Sequence, residues 1–147
     1  MKLNREQIKK IIPHREPFLL LDEVFDLEPG QKGRGKFLVE SGQIWLQGHF
    51  PNYPLLPGVL LIESLAQLGA VVVLAENESS DRFPLFAGME EVKFRRQVRP
   101  GDLVHLEIEI IRARSNFGMG QGWALVEGEL AGEGRLKFAL LAGGDSD

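Results

Sequence analysis

The 147-residue sequence contains no cysteine, which excludes disulfide bonds, thiolate nucleophiles and zinc sites with cysteine ligands. It also lacks a strong excess of either charge. The formal net charge is only -4, so nothing indicates nucleic-acid binding or an anionic-membrane partner. Residues 1–7 lack the apolar stretch of a signal peptide, and the expected compartment is therefore the cytoplasm. Repeats and linker-like stretches are missing too, apart from a tail at 143–147 that we expect to fray.

The apolar content is sufficient for one domain spanning residues 1–147. Hydrophobic residues make up 44% of the chain and charged residues 26%, a balance that is typical of globular proteins. A chain of this length can bury a sizeable core. We therefore expect a single globular domain.

The most apolar segment is residues 55–75, and two interpretations compete for it. Its length approaches the roughly 20 residues of a membrane span. However, Glu63, Ser64 and Gln67 lie in its middle, and it lacks flanking basic and aromatic anchors. We favour a helix of a soluble protein, buried on nearly every side, with Pro57 in its first turn, and expect no membrane span.

Shorter segments favour β-strands. Residues 91–99 and 103–112 alternate between apolar and polar side chains, with a Pro-Gly-Asp turn signal between them. The other predicted elements are a short helix at 4–11 and strands at 17–27, 36–40, 122–130 and 135–141. Strands joined by short turns favour an antiparallel sheet, and a sheet that curls around one apolar helix buries both. The predicted fold class is therefore α+β.

The loop directly before the apolar helix is the first candidate for chemistry. Prolines at 51, 54 and 57 stiffen this loop. The loop also holds His49, between apolar neighbours. An imidazole in such a rigid setting is suited to act as a general base, because histidine titrates near neutrality.

Three residues of the predicted helix are candidates for the same site. Glu63 lies deep enough to be partly desolvated, and burial raises a carboxyl pKa so that the group can carry a proton near neutral pH. Gln67 follows four residues later on the same helical face and could orient Glu63 by a hydrogen bond. The free N–H groups around Gly58 could stabilise an oxyanion. Spacing alone does not separate this arrangement from a purely structural His–Glu pair.

Three blocks of sequence carry a family resemblance. Residues 48–67 read GHFPNYPLLPGVLLIESLAQ, residues 12–22 read IPHREPFLLLD, and residues 86–102 read FAGMEEVKFRRQVRPGD. All three resemble blocks of the FabZ-type 3-hydroxyacyl-[acyl-carrier-protein] dehydratases, whose central motif can be written GHFP-x-x-P-x-x-PGV-x-x-x-E-x-x-AQ. Every fixed position of that motif is present, and the resemblance covers about residues 8–141.

The resemblance implies a hotdog fold, in which an antiparallel sheet wraps a long helix. It also implies a homo-oligomer, either a dimer or a trimer of dimers, whose active sites each take residues from two subunits. His49 would remove the C2 proton of a (3R)-3-hydroxyacyl chain carried by acyl carrier protein, and Glu63 of the partner subunit would protonate the departing C3 hydroxyl. The product would be a trans-2-enoyl thioester, formed in fatty acid biosynthesis without a metal or organic cofactor.

The resemblance also assigns residues around the substrate. The backbone N–H of Gly58 would hold the thioester oxygen, and the other implied substrate-site residues are Phe50, Pro51 and Gln67. A glutamate at 63 favours plain dehydration, because related dehydratase–isomerases place an aspartate there. Differences from the family include Leu85 and Glu16, where tyrosine is common, and the missing Asn-Glu pair at 41–47. None of these differences changes a catalytic group. They concern acyl chain length and the gating of the substrate tunnel.

A local basic patch on this acidic protein is the second functional candidate, and its members are Lys93, Arg95, Arg96 and Arg99. All but Arg96 are predicted to share one strand face. The patch could receive the acidic surface and phosphate of an acyl carrier protein, or it could be a solvated edge that discourages strand pairing. The resemblance favours carrier docking.

Two other functions stay open for the sequence. A hotdog thioesterase uses a carboxylate to activate water and needs no paired histidine. A non-catalytic acyl-binding subunit typically loses the histidine or the acid. Both His49 and Glu63 are present, which favours the dehydratase, while His14 and His105 are expected to serve structure.

Overall fold

A computed structural model describes residues 2–75, 83–114 and 116–141, so the tail at 143–147 lies outside the described residues. In chain order the elements are β1 (Leu3–Asn4), α1 (Arg5–Lys9), β2 (Glu23–Glu28), β3 (Lys32–Leu38), α2 (Ile44–Gln47), α3 (Gly58–Ala75), β4 (Phe83–Phe94), β5 (Leu103–Arg114), β6 (Phe117–Val126) and β7 (Glu129–Leu141). The strands form one antiparallel sheet in the order β1-β2-β3-β5-β6-β7-β4. The predicted α+β class is confirmed.

Helix α3 is the centre of the hydrophobic core. By length and composition it could cross a membrane, yet 72% of it is buried against the rest of the protein. Its buried side chains include Leu65, Leu68 and Val72, which pack against glycines of β6 and β3. The interpretation as a buried core helix is thus confirmed. The helix begins at Gly58, so Pro57 precedes it rather than occupying its first turn.

Glycines in β3 let the sheet approach this helix, and they explain an error of prediction. The strand was expected at 36–40, but β3 starts at Lys32 and ends at Leu38. In the sequence, Gly33 and Gly35 suggest a loop rather than a strand. In the sheet they lie where a side chain would collide, since a Cβ on Gly33 would lie 2.8 Å from Cγ2 of Val72.

Replacing Gly35 with alanine is expected to destabilise the fold. The new Cβ would lie 2.8 Å from the backbone oxygen of Glu23 and 3.5 Å from Leu68, so β2 would have to shift. Overpacking of this kind costs about 1–3 kcal/mol in the free energy of unfolding. Chemical denaturation measures it, with Gly88→Ala as the control because its Cβ meets nothing within 4 Å. Equal midpoints for both variants would contradict this account.

The predicted strand at 17–27 is wrong at its start, because β2 begins only at Glu23. Residues 19–21 are buried, but side chains satisfy much of their backbone. The Arg5 guanidinium donates to two of their carbonyl oxygens, at 2.9 and 3.0 Å, and Oε1 of Gln67 accepts from one N–H at 2.8 Å. This segment therefore has the apolar composition of a buried strand, but its backbone groups bond to side chains instead of to a neighbouring strand.

The prediction at 91–99 is also wrong, because β4 runs from Phe83 to Phe94. Glu91 has a positive φ of 53°, and the pairing with β7 shifts register between Glu90 and Lys93. The bulge interrupts the apolar–polar alternation, and the chain leaves the sheet after Phe94. Period-2 patterning alone does not reveal such a bulge.

The C-terminal hairpin was predicted as strands at 122–130 and 135–141, and the turn was missed. Glu127 and Gly128 both have positive φ, 52° and 78°, which is the geometry of a two-residue type I′ turn. The turn therefore separates β6 from β7 inside the first predicted strand. The strand at 103–112 is confirmed and extends to Arg114 as β5, and the helix at 4–11 is confirmed but shorter, as α1.

Candidate active site

The loop before α3 fixes the His49 ring by a backbone hydrogen bond. Nδ1 of His49 lies 3.1 Å from the carbonyl oxygen of Leu55, and the two residues are also joined by a 2.7 Å bond from Leu55 N–H to the His49 carbonyl. A carbonyl oxygen only accepts, so Nδ1 carries the ring proton. The Nε2 lone pair is then free to accept a proton, which is the form a general base needs.

Glu63 lies on α3 in a mostly apolar setting, with 17% of its side chain exposed. Burial raises its pKa, and the hydrogen bond from Gln67 opposes that rise only in part. The carboxyl group therefore retains a proton at higher pH than a solvated glutamate does. A protonated carboxyl group is what a general acid requires.

Gln67 holds the Glu63 carboxyl group in one orientation. Oε1 of Gln67 accepts from Leu20 N–H at 2.8 Å, and its Nε2 donates to the Phe18 carbonyl at 2.8 Å and to Oε2 of Glu63 at 3.1 Å. A backbone N–H only donates and a carbonyl only accepts, so these partners determine which end of the amide faces Glu63. The hydrogen bond expected between the two side chains is present.

Gly58 lies at the first position of α3, next to an aromatic ring. A Cβ at this position would lie 2.9 Å from Cε1 and Cζ of Phe94, so only glycine fits without movement of the ring. The first helical N–H groups have no partner within the helix and point out of its N-terminus. Gly58 and His49 line the same open cavity of about 390 Å³, together with Phe94 and Val98.

His49 and Glu63 line different cavities of the chain. Glu63 lines a second cavity of about 230 Å³, formed with Leu85, Phe86 and Phe138 among others. Leu85, noted in the sequence as a tunnel position, thus lies on the side of the acid rather than of the base. The structure brings Gly58 to His49 and Gln67 to Glu63, but it does not bring the two halves into one cavity.

Phe50 and Pro51 follow His49 and are both exposed. The Phe50 ring stacks on the imidazole, with 4.4 Å between ring centroids and 23° between planes. Phe50 is 52% exposed, as are other apolar side chains at this end of the molecule, such as Val59 at 64%. Exposed apolar side chains next to a candidate base are typical of an interface or a ligand site.

The predicted shared face of basic residues is wrong, because β4 ends before most of them. Lys93 lies in β4, whereas Arg95, Arg96 and Arg99 follow it. Two of them pair with carboxylates: Arg95 Nε lies 3.0 Å from Glu133, and Arg96 Nη1 lies 2.8 Å from Glu129. The positive charge is therefore interleaved with negative charge rather than gathered in one stripe.

Arg99 takes part in a separate cluster. Its guanidinium lies 4.7 Å from the centroid of the Tyr53 ring and donates to the Tyr53 hydroxyl. That hydroxyl in turn donates to Oε1 of Gln97 at 2.8 Å. The cluster braces the tip of the His49 loop against the segment after β4.

Sequence reasoning missed His14, which was expected only to pack. Its Nε2 lies 3.6 Å from Oε2 of Glu63, and both side chains line the second cavity. The two residues are 49 positions apart, so their spacing carries no signal of the contact. Within the described ranges, no three His, Asp or Glu side chains converge as a metal site would require.

A family model described as a FabA-like domain matches residues 12–135. The chain belongs to the FabA-like family. It is 49% identical over 138 residues to the 3-hydroxyacyl-[acyl-carrier-protein] dehydratase FabZ of Bacillus subtilis, covering 94% of this chain and 98% of that protein. It is also 49% identical over 138 residues to the FabZ of Geobacillus thermodenitrificans, covering 94% and 95%. The resemblance in the sequence motifs is confirmed.

Solved structures show the same architecture at much lower identity. The dehydratase heterocomplex ApeI:P from Xenorhabdus doucetiae matches with a TM-score of 0.80 and 19% identity, covering 92% of this chain and 91% of that chain. A mutant thioesterase from Pseudomonas aeruginosa matches with a TM-score of 0.60 and 16% identity, covering 81% of each chain. These likenesses concern the fold alone, and together with the FabA-like match they confirm the hotdog architecture.

Proposed function

We propose that the protein dehydrates (3R)-3-hydroxyacyl-[acyl-carrier-protein] to trans-2-enoyl-[acyl-carrier-protein] in fatty acid biosynthesis. The proposal is carried by the near-full-length similarity to FabZ dehydratases, together with a base and an acid in the protonation states that the reaction needs. His49 has a free Nε2 lone pair, and Glu63 has a pKa raised by burial. A base and an acid whose environments separate their roles are what an elimination needs.

The proposed reaction uses only groups of this chain and its partner copy. Nε2 of His49 takes the C2 proton, and the electron pair of that C–H bond moves toward the thioester carbonyl. The N–H at Gly58 stabilises the resulting oxyanion. The C2=C3 double bond then forms as the C3–O bond breaks, and Glu63 gives its proton to the departing hydroxyl, which leaves as water. The proposal involves no metal or organic cofactor.

A second copy of the chain is the proposed partner that completes the site, as a dimer or a trimer of dimers. His49 and Glu63 line different cavities of one chain, so neither cavity holds both groups. Strand β4 is an edge of the sheet, and it exposes Phe86, Met89 and Phe94 by 40%, 51% and 52%. An apolar edge strand favours pairing with another chain. Sedimentation analysis tests this, and a monomer at assay concentration would contradict it.

Carrier docking and compartment complete the proposal. Lys93, Arg95, Arg96 and Arg99 are the proposed contacts to the acidic carrier protein, and their interleaved carboxylates favour oriented docking over simple charge attraction. The proposed compartment is the cytoplasm. Leu85 lines the cavity that holds the acid, at a position where the resemblance makes tyrosine common.

The test is an assay that follows two products separately. The purified protein is incubated with a 3-hydroxyacyl thioester, and enoyl thioester and free thiol are both measured. Enoyl formation without thiol release is the expected result. Thiol release without enoyl product would instead mean a thioesterase, and no turnover with either carrier-bound or small thioesters would mean a non-catalytic acyl-binding subunit.

A further inference from the structure

We infer that His14 is a positioning residue for Glu63, whose ring N–H acts with the Gln67 amide to hold one carboxyl oxygen and leave the transferable proton on the other. This inference rests on the proposed dehydratase activity and adds a third residue to it. Its basis is geometry, the hydrogen-bonding capacity of the groups involved, and the apolar surroundings of the ring.

Both donors face the same oxygen of Glu63. Nε2 of Gln67 lies 3.1 Å from Oε2, and Nε2 of His14 lies 3.6 Å from it. The longer separation exceeds a direct hydrogen bond, so the proposed role requires the two side chains to approach by a few tenths of an ångström. The His14 and Glu63 side chains are only 19% and 17% exposed, so the pair is largely shielded from solvent.

The environment of the ring favours one tautomer. Nδ1 of His14 is buried and has no hydrogen-bond partner among the described residues. Nε2 faces a carboxyl group. A ring proton on Nδ1 would be a buried donor without an acceptor, whereas on Nε2 it meets Glu63. The neutral ring with its proton on Nε2 is therefore the favoured form.

The charge state of His14 matters as much as its position. Among the described residues, the Glu63 carboxyl group of α3 faces the ring, and the charge of the neighbouring Arg15 acts on it although its guanidinium bonds to the carbonyls of residues 9, 12 and 14. The other neighbours are apolar, including Phe18, whose ring stacks on it with 6.5 Å between centroids, and Phe86 from β4. Burial and then the Arg15 charge lower the pKa of His14. A neutral His14 ring can donate a hydrogen bond to protonated Glu63. A charged ring would instead form an ion pair with the carboxylate and so favour loss of the Glu63 proton.

Donation to Oε2 has a consequence for the acid. Oε2 of Glu63 accepts from Gln67, and in the proposed arrangement it also accepts from His14, so the proton is best placed on Oε1, which neither donor faces. A carboxyl group held in this way presents its proton in one direction, which reduces the reorganisation needed in the transition state. Loss of one donor should affect turnover more than substrate affinity.

Three substitutions separate this role from packing. Glutamine places its amide nitrogen near the imidazole Nε2, asparagine places it near Nδ1, and phenylalanine keeps the ring without any donor. We expect His14→Phe and His14→Asn to lower kcat about tenfold with KM changed less than about twofold, and His14→Gln to retain most activity. The matched controls are His105→Phe and His105→Gln on the exposed face of β5, which should match wild type.

The pH profile gives a readout that packing would not move. Removing a donor from Oε2 disfavours the carboxylate and raises the pKa of Glu63. The limb of the kcat/KM profile that is due to Glu63 should therefore move to higher pH in His14→Phe but not in His14→Gln. Equal losses in both variants with an unmoved limb would overturn the inference, as would full activity in His14→Phe.

A measurement without turnover keeps the inference independent of the proposed reaction. Carbon-13 NMR of carboxyl-labelled glutamate follows the titration of Glu63, assigned with Glu63→Gln, in wild type and in His14→Phe. A Glu63 titration that lies at higher pH in His14→Phe than in wild type supports the positioning role, whether or not enoyl product forms. Absence of enoyl product in wild type would defeat the dehydratase proposal alone. Superimposable titrations would defeat the positioning role alone.

Discussion

Replacing His49 with alanine is expected to abolish nearly all dehydration, with kcat for enoyl formation lowered about 10²- to 10⁴-fold. The ring is held by its Nδ1 contact to the Leu55 carbonyl, and Nε2 has a lone pair available for the C2 proton. Alanine removes that lone pair but leaves the helix α3 and the sheet untouched. The measurement is enoyl thioester formation under saturating substrate, with circular dichroism to verify folding.

The matched control for this variant is His105→Ala. His105 lies on the exposed face of β5, and its ring makes an edge-to-face contact with Phe25 in β2. Its loss should leave kcat within about twofold of wild type, because surface substitutions have small effects. Wild-type activity in His49→Ala would remove the proposed base.

Replacing Glu63 with glutamine is expected to lower kcat by a similar factor, about 10²- to 10⁴-fold. Glutamine has nearly the same shape and can still meet the Gln67 amide, but it has no acidic proton to give to the departing hydroxyl. Because burial raises the pKa of Glu63, the active protonated form is lost only as pH rises through that raised pKa. Glu109→Gln, on the exposed face of β5, is the control and should retain activity.

Mixing the two inactive variants tests whether a site is shared between subunits. In a dimer of one His49→Ala chain and one Glu63→Gln chain, one site has both groups intact and the other has neither. Random exchange then restores about one quarter of wild-type activity for a two-fold dimer. If base and acid came from the same chain, exchange would restore nothing.

The core helix and the antiparallel sheet were predictable because their signals are local. Residues 58–75 are apolar on every side, a pattern that fits only a buried or membrane-spanning helix, and the polar Glu63 and Gln67 within it favoured burial. The buried face of β5, with Val104, Leu106 and Ile108, follows directly from its alternation. Errors arose where glycine-rich strands, a bulge at Glu91 and an apolar segment without a ladder have no local signature.

The sequence by itself determined the candidate base and acid, His49 and Glu63, because their motif is long and each lies in a locally readable setting: a proline-stiffened loop and an apolar helix. Tertiary structure alone decided what surrounds them. It showed that Gln67 is oriented by the backbone of residues 18–20, and that His14 lies 3.6 Å from Glu63. It also showed that Lys93, Arg95 and Arg99 do not share one strand face, because β4 ends at Phe94. Contacts between residues almost 50 positions apart depend on how the sheet closes around α3, and no spacing in the chain encodes that closure.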